Sequence, residues 1–325
     1  MTRCQCLKNK IMERSKVVVV GTGFVGMSYA YALVNQGAVE ELVLIDIDHK
    51  KAEGEAMDLN HGLAFAPRKM TIKAGDYSEC RDAGLVVITA GVNQKEGETR
   101  IQLLNRNAQI IKAVVKNIMQ SGFRGILLVA SNPVDILAYV AWKESGLPKS
   151  RVIGSGTSLD TARLRYEISR YVKIDPRNIH AYILGEHGDS EFVVWSNANI
   201  AAKPIMDVID TMEEINFSDL DNIYKTVRNA AYEIIHRKKA TYYGIGMALV
   251  RISVAIFNNE NRIMPISVLN DGVYDIEKDV YIGLPAVLNR QGVDHVVHFT
   301  LSDEEKEKLQ KSADILRKNL SDIGY

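Results

Sequence analysis

A histidine set between glycines, Gly185-Glu186-His187-Gly188-Asp189, has the makings of a proton carrier brought close to a ligand, because glycine lets the backbone approach. Upstream, Leu159-Asp160-Thr161-Ala162-Arg163-Leu164-Arg165 reads as the first turns of a helix. At about 100° per residue, Asp160 and Arg163 stand about 60° apart and share a face. An acid and a guanidinium side by side suit two tasks. Asp160 can hydrogen-bond the imidazole of His187, fixing its tautomer and favouring its protonated form. Arg163 can grip a carboxylate through two parallel bonds.

A second set suits a dinucleotide. The apolar run 16–20 leads straight into Gly21-Thr22-Gly23-Phe24-Val25-Gly26, and a helical pattern follows. Gly21 permits a tight turn, Gly23 lets a pyrophosphate approach the backbone, and Gly26 lets helix and strand pack closely. The helix N-terminus offers free N–H groups and a positive dipole end. Asp46 closes the next strand about 20 residues on, where a carboxylate accepts from a ribose diol and repels a 2′-phosphate. NAD is therefore favoured over NADP, although Lys50 and Lys51 lie nearby. A dinucleotide beside a proton carrier and a carboxylate clamp points to hydride transfer to a 2-oxo acid. That reaction needs a donor for the developing alkoxide, a cation for the carboxylate and a group that polarises the carbonyl.

These groups need a scaffold. Continuous Val/Ile/Leu runs at 16–20, 41–46, 70–74, 85–90, 125–130 and 151–154 predict strands buried on both faces of a parallel sheet. Helical patterns at 24–36, 49–59, 98–121 and 134–144 alternate with them, so the first half reads as a doubly wound α/β sheet of Rossmann type. After Gly154 the rhythm changes. A helix at 158–172 precedes strand-like runs at 179–184 and 191–200, helices at 219–236 and 241–257, and further strand-like runs at 263–269, 280–288 and 293–299. Ser302 and Glu305 then form the two halves of a capping box. The expected organisation is a tail over 1–15, an NAD-binding domain over 16–154 and a mixed α+β substrate domain over 155–325.

Composition narrows the class. Forty basic and forty acidic side chains cancel, so no global field draws the chain to nucleic acid or an anionic membrane. No run approaches the roughly 18 apolar residues that span a bilayer, and the N-terminus lacks the apolar stretch of a secretory signal. Cys4 and Cys6 are too close for an ordinary bridge and Cys80 is left over, which suits a reducing cytoplasm. No HExxH is present, and His295 and His298 are expected on opposite sides of a strand, so a metal-dependent hydrolase is disfavoured. A non-catalytic NAD-binding protein on this scaffold is expected to have lost one of His187, Asp160, Arg163 or Arg100, and all four are present.

Taken together, GTGFVG, Asp46, NQKEGETR, SNPVD, LDTAR and GEHGD closely resemble the L-lactate/malate dehydrogenase family, in family order and over nearly the whole chain. The resemblance implies that His187 is the acid/base, Asp160 its orienting partner and Arg163 the carboxylate anchor. Asn132 is then at the substrate oxygen and the nicotinamide end, Thr241 in the substrate pocket and Ile245 against the nicotinamide ring. Val25, Lys51, Tyr77, Gly91, Val92, Ser131 and Ser155 match positions around the cofactor.

The polar segment 91–100, with glycine near either end, has the composition of a lid from which Arg100 swings in to polarise the carbonyl and exclude water. In the family, the position of Gln94 separates enzymes for lactate from those for malate, which carry Arg there. A neutral Gln leaves the second carboxylate of oxaloacetate unpaired, a costly burial. Pyruvate/L-lactate, in glycolysis and fermentation, is the implied substrate pair; malate or bulkier 2-hydroxy acids are the alternative. Arg165 lies about 200° round the helix from Arg163, and His180 about 23 Å from His187 if the strand is extended. Bacterial members activated by fructose 1,6-bisphosphate carry Arg and His at these positions where subunits meet. The resemblance therefore implies a symmetric homo-oligomer, a tetramer, with a bisphosphate between subunits.

Overall fold

The computed structural model describes residues 15–93, 97–211, 215–277 and 279–325. Six parallel strands organise the first half: β1 (Lys16–Val20), β2 (Glu41–Ile45), β3 (Thr71–Ala74), β4 (Leu85–Ile88), β5 (Ile126–Val129) and β6 (Val152–Gly154). The cores of β1, β4 and β5 read VVVV, LVVI and ILLV and are wholly buried, because helices cover both faces of the sheet. Those helices are α1 (Phe24–Gln36), α2 (His49–Gly62), α3 (Arg100–Gln120) and α4 (Val134–Ser145).

Strand order is β3-β2-β1-β4-β5-β6, so the winding reverses between β1 and β4 and opens a crevice beyond their carboxyl ends. Register lines those ends up. Val20 is opposite both Ile45 and Ile88, Ile88 is opposite Val129, and Val129 is opposite Gly154. Gly21, Asp46, Thr89, Ala130 and Ser155 therefore all leave the sheet along one edge. Several strands are shorter than the apolar runs suggested, since Asp46, Ala90 and Ala130 have already turned out of the ladder towards that edge.

The second half opens with α5 (Ser158–Val172). The run at 179–184 is not one strand: β7 (Ile179–His180) pairs with β10 (Asn199–Ile200), and β8 (Ile183–Leu184) pairs with β9 (Phe192–Val193). Likewise the run at 191–200 is interrupted by a 3₁₀ turn at Trp195–Asn197, where Glu305 accepts from both the backbone N–H (3.0 Å) and the hydroxyl (2.5 Å) of Ser196. β11 (Lys203–Pro204) and α6 (Ile205–Ile209) follow, then α7 (Phe217–Lys238) and α8 (Tyr243–Phe257). The latter starts two residues later than its pattern implied, leaving Thr241 in the segment before it.

β12 (Arg262–Leu269), β13 (Tyr281–Asn289) and β14 (Gly292–Val296) form an antiparallel group whose β12 docks on β6 through Ser267 and Gly154. One nine-stranded sheet thus runs from the first half into the second. The last strand stops at Val296, so His298 lies beyond it, with its ring 5.6 Å from that of Tyr274. Final helix α9 (Asp303–Asp322) carries the expected capping box of Ser302 and Glu305. The main core crosses both halves, from Val18 and Leu128 to Ile266 and Leu316, and a smaller one gathers Leu164, Ile168, Ile183 and Ile223. A buried contact of 2.6 Å between the Tyr29 and Ser253 hydroxyls ties α1 to α8. Among the described residues no helix is long and apolar enough to cross a membrane.

Candidate active site

At the reversal point, Gly21 has φ +106°, and a Cβ on Gly26 would lie 2.0 Å from the Gly21 carbonyl oxygen. Turn and helix packing both require these glycines. A Cβ on Gly23, by contrast, would meet nothing within 4 Å. That open cradle sits where α1 begins, and no side chain caps the first turn. Free N–H groups facing open space are what a pyrophosphate needs, so this chain fits a dinucleotide on its own geometry. Beside it, Asp46 Oδ2 accepts from the N–H (2.7 Å) and hydroxyl (2.8 Å) of Thr22, and Oδ1 from the N–H of Asp48 (3.1 Å). Burial alone would raise this carboxyl, but the three bonds and the charge of Lys51 hold it below the usual range. Asp46 is thus ionised and fixed, and Ile47 beside it is fully exposed.

Further along the edge, the Ser131 hydroxyl donates to the Ala90 carbonyl (2.5 Å) and the Ser155 N–H to that of Val129 (2.9 Å). Asn107 of α3, buried and overlooked in the sequence, joins two of these loops. Its Oδ1 accepts from Val92 N–H (2.9 Å), and its Nδ2 donates to the carbonyls of Val92 and Asn132 (both 3.3 Å). The signal was present: Asn107 sits in the buried stripe Leu104, Ala108, Ile111, where a polar residue must find partners. Gly91 and Asn132 are exposed on this edge, and Val25 packs against the core from α1. Tyr77 opens the turn after β3, where burial raises its hydroxyl against a hydrogen bond with Asn117. Gln94 lies outside the described residues.

The proton-handling groups converge from three elements. Asp160, in the first turn of α5, receives Arg163 Nη1 on Oδ1 at 2.9 Å, and its Oδ2 is 2.6 Å from His187 Nδ1. Asp160 is only 2% exposed, so this is a buried pair and not a surface one. Burial opposes charge on Asp160, yet His187 and Arg163 together hold its carboxyl below the ordinary value. Burial likewise disfavours the imidazolium, but Asp160 overrides it and His187 is pushed up to about 9.

Two carboxyls escaped the sequence reading as members of this cluster. Asp135, in the first turn of α4, accepts the His187 backbone N–H on Oδ2 at 2.8 Å. Burial lifts it to about 6, against the pull of the Ser267 hydroxyl and that N–H. Glu191 offers an oxygen that, with one of Asp160 and a ring nitrogen of His187, forms a set within 4.8 Å of one another. Asp135 is an acid inside an apolar run and Glu191 stands at the start of one, and that was the available signal.

Other predicted residues stand apart from this cluster. Arg100 Nη1 is 3.6 Å from Asp189 Oδ2 on the surface, and Asp189 Oδ1 accepts from the Tyr232 hydroxyl at 3.2 Å. Thr241, just before α8, and Ile245, in its first turn, are half-buried. Arg165 turns to the other side of α5, where Nε donates to the Ala181 carbonyl (3.1 Å) and the guanidinium lies 5.0 Å over the Tyr182 ring. Exposed His180 adjoins Ala181, so these two basic side chains come to neighbouring stations.

Residues 15–154 match the lactate/malate dehydrogenase NAD binding domain, and residues 157–324 the lactate/malate dehydrogenase alpha/beta C-terminal domain. The chain is 54% identical to L-lactate dehydrogenase 2 of Bacillus anthracis over 309 residues, 95% of this chain and 98% of that one. Among solved structures, a lactate dehydrogenase enzyme from a Medee basin deep-sea metagenome library superposes with a TM-score of 0.95 at 79% identity, covering 96% of this chain and 99% of the other. The ligands-bound minor L-lactate dehydrogenase of Enterococcus mundtii gives a TM-score of 0.93 at 50% identity, covering 95% and 98%.

Proposed function

Because the chain belongs to the lactate/malate dehydrogenase family, we propose that it is an NAD-dependent L-lactate dehydrogenase that interconverts pyruvate and L-lactate. The observation that carries this reading is the Asp160 carboxylate bonded at once to His187 and Arg163, in a fold whose glycine loop and Asp46 fit a dinucleotide. NADH, when bound, supplies the hydride. Gly21, Gly23, Val25 and Gly26 receive the pyrophosphate, Asp46 with Lys51 beside it takes the adenosine ribose, and Tyr77, Gly91, Val92, Ser131, Asn132 and Ser155 form the remaining wall.

The chain's own residues do the rest. Arg163 grips the pyruvate carboxylate with the guanidinium edge not committed to Asp160. His187 gives its Nε2 proton to the carbonyl oxygen in reduction and takes it back in oxidation, while Nδ1 stays on Asp160. Asn132 and Thr241 close the pocket, and Arg100 exchanges Asp189 for the substrate carbonyl. Gln94 selects pyruvate over oxaloacetate, because a neutral side chain gives a second carboxylate no countercharge. The test is NADH oxidation with pyruvate, oxaloacetate and a branched 2-oxo acid. Pyruvate is expected to be the best substrate, and Gln94→Arg to shift preference towards oxaloacetate. Oxaloacetate outrunning pyruvate in the parent protein would overturn the assignment.

A second element of the reading is regulation. Arg165 and His180 form, across a symmetric subunit interface of a cytoplasmic tetramer, a site for fructose 1,6-bisphosphate. It is supported by a local excess of guanidinium: burial and the nearness of Arg251 and Arg165 pull Arg262 below its ordinary value. Free, buried Cys80 suits a reducing compartment.

A further inference from the structure

His187 is not alone with Asp160. Glu191 is 4% exposed, directly precedes β9 after the histidine loop, and contributes an oxygen to the set of three within 4.8 Å. Two carboxyls in one buried site cannot both carry charge cheaply, and the one with the better cations ionises. Asp160 has Arg163 at 2.9 Å and His187 at 2.6 Å. Among the described residues Glu191 has no ion pair. Its backbone carbonyl accepts the Tyr224 hydroxyl from α7 at 2.5 Å, which fixes the chain there without adding a cation to the carboxyl.

The geometry points to Glu191 as a positioning residue of the proton relay: it stays a neutral acid, donates a hydrogen bond to the Asp160 carboxylate, and so restrains the hold of Asp160 on His187. The inference rests on the reading of His187 as the acid/base. Burial and the charge of Asp160 both raise the Glu191 carboxyl well above the carboxylate range, outweighing His187 and Arg163.

The consequence concerns how tightly His187 keeps its proton. An acid/base works best with its pKa near the operating pH. Asp160 lifts His187, and a charged Glu191 and Asp135 would lift it further. Proton retention by Glu191 removes one of those charges, and its hydrogen bond draws density from Asp160. Both bring His187 back towards neutrality. The other charged or titratable groups facing this cluster are Arg163 on α5, Asp135 on α4, and, from α7 and α9, Tyr224 with Arg228 and Lys308. The Glu191 proton is not transferred during turnover.

The test combines pH profiles of kcat/KM for pyruvate reduction with infrared spectra of wild type, Glu191→Gln and Glu191→Leu. Gln keeps a donor towards Asp160 and adds no charge, so its alkaline midpoint is expected to coincide with the wild type's. Leu removes the donor, and its midpoint is expected to rise by about one unit, a tenfold tighter hold on the proton. The wild type at neutral pH is expected to show a protonated-carboxyl stretch that Glu191→Gln lacks. A midpoint lowered in Gln, an unmoved one in Leu, or a band that survives in Gln each overturns the proposal. If Leu does not fold, the Gln midpoint and the band decide. The band is read without turnover, so a wild type inactive on pyruvate sinks the functional reading while the band still judges Glu191.

Discussion

Asp160 spends each of its oxygens on a different cation, and this division sets the pH behaviour of the chemistry. Reduction consumes a proton from the imidazolium, and oxidation needs the neutral ring. Because Asp160 raises His187 from 6.5 to about 9, kcat/KM for pyruvate is expected to be level on the acid side and to fall as pH rises through that interval. Lactate oxidation is expected to climb over the same interval. Asp160 remains ionised throughout, since its carboxyl is depressed and not raised. Initial-rate profiles in both directions check this, and a reduction rate that increases with pH would contradict the role of His187. His187→Asn should leave NADH titration by fluorescence nearly intact while turnover drops by about 10²–10⁴-fold, the usual worth of a placed acid/base. Turnover at the wild-type rate in that variant removes His187 from the mechanism.

At the scale of elements, the site depends on strand ends meeting helix starts. α1 can begin against β1 only because Gly26 has no side chain: a Cβ there would sit 2.0 Å from the Gly21 carbonyl and 2.8 Å from the Thr89 hydroxyl. Gly26→Ala is expected to destabilise the fold by about 1–3 kcal/mol, as overpacking does, and to weaken NADH binding because the α1 N-terminus moves. Thermal unfolding and fluorescence titration read the two effects, and unaltered NADH affinity would show that the loop does not need this contact. This glycine was legible in the sequence, as were the six parallel strands, because a repeated apolar strand and a fixed glycine spacing are local signals. Asp160, Arg163 and His187 were legible from spacing and resemblance. What escaped depends on which distant segments face each other. Nothing near Asp135 in the chain says that its carboxylate takes the His187 N–H, and nothing near Glu191 says that Asp160 stands opposite. The split of 179–184 between two sheets escaped for the same reason: β7 and β8 differ in partner and not in composition.

For the whole molecule, the neutral total charge conceals a local imbalance that bears on regulation. Arg165 leaves the catalytic face of α5 for the Ala181 carbonyl and the Tyr182 ring, and burial with the charges of Arg251 and Arg165 lowers Arg262. Glu260 pairs with both Arg251 and Arg262, so it offsets part of that charge, and no ion pair among the described residues involves Arg165. A phosphate dianion would relieve the excess, and a bisphosphate reaching the same groups on a second copy would join two subunits. Binding and assembly are then linked: whatever fructose 1,6-bisphosphate does to pyruvate affinity, pyruvate must do to bisphosphate affinity, by about 5–150-fold for a coupling of ordinary size. The expected result is a lower half-saturation for pyruvate when the bisphosphate is added, with a matching shift towards tetramer in sedimentation velocity. Arg165→Gln is expected to lose both responses. A saturation curve and a sedimentation profile that ignore the bisphosphate would mean that Arg165 and His180 serve packing alone, since Arg165 is already satisfied within its own chain.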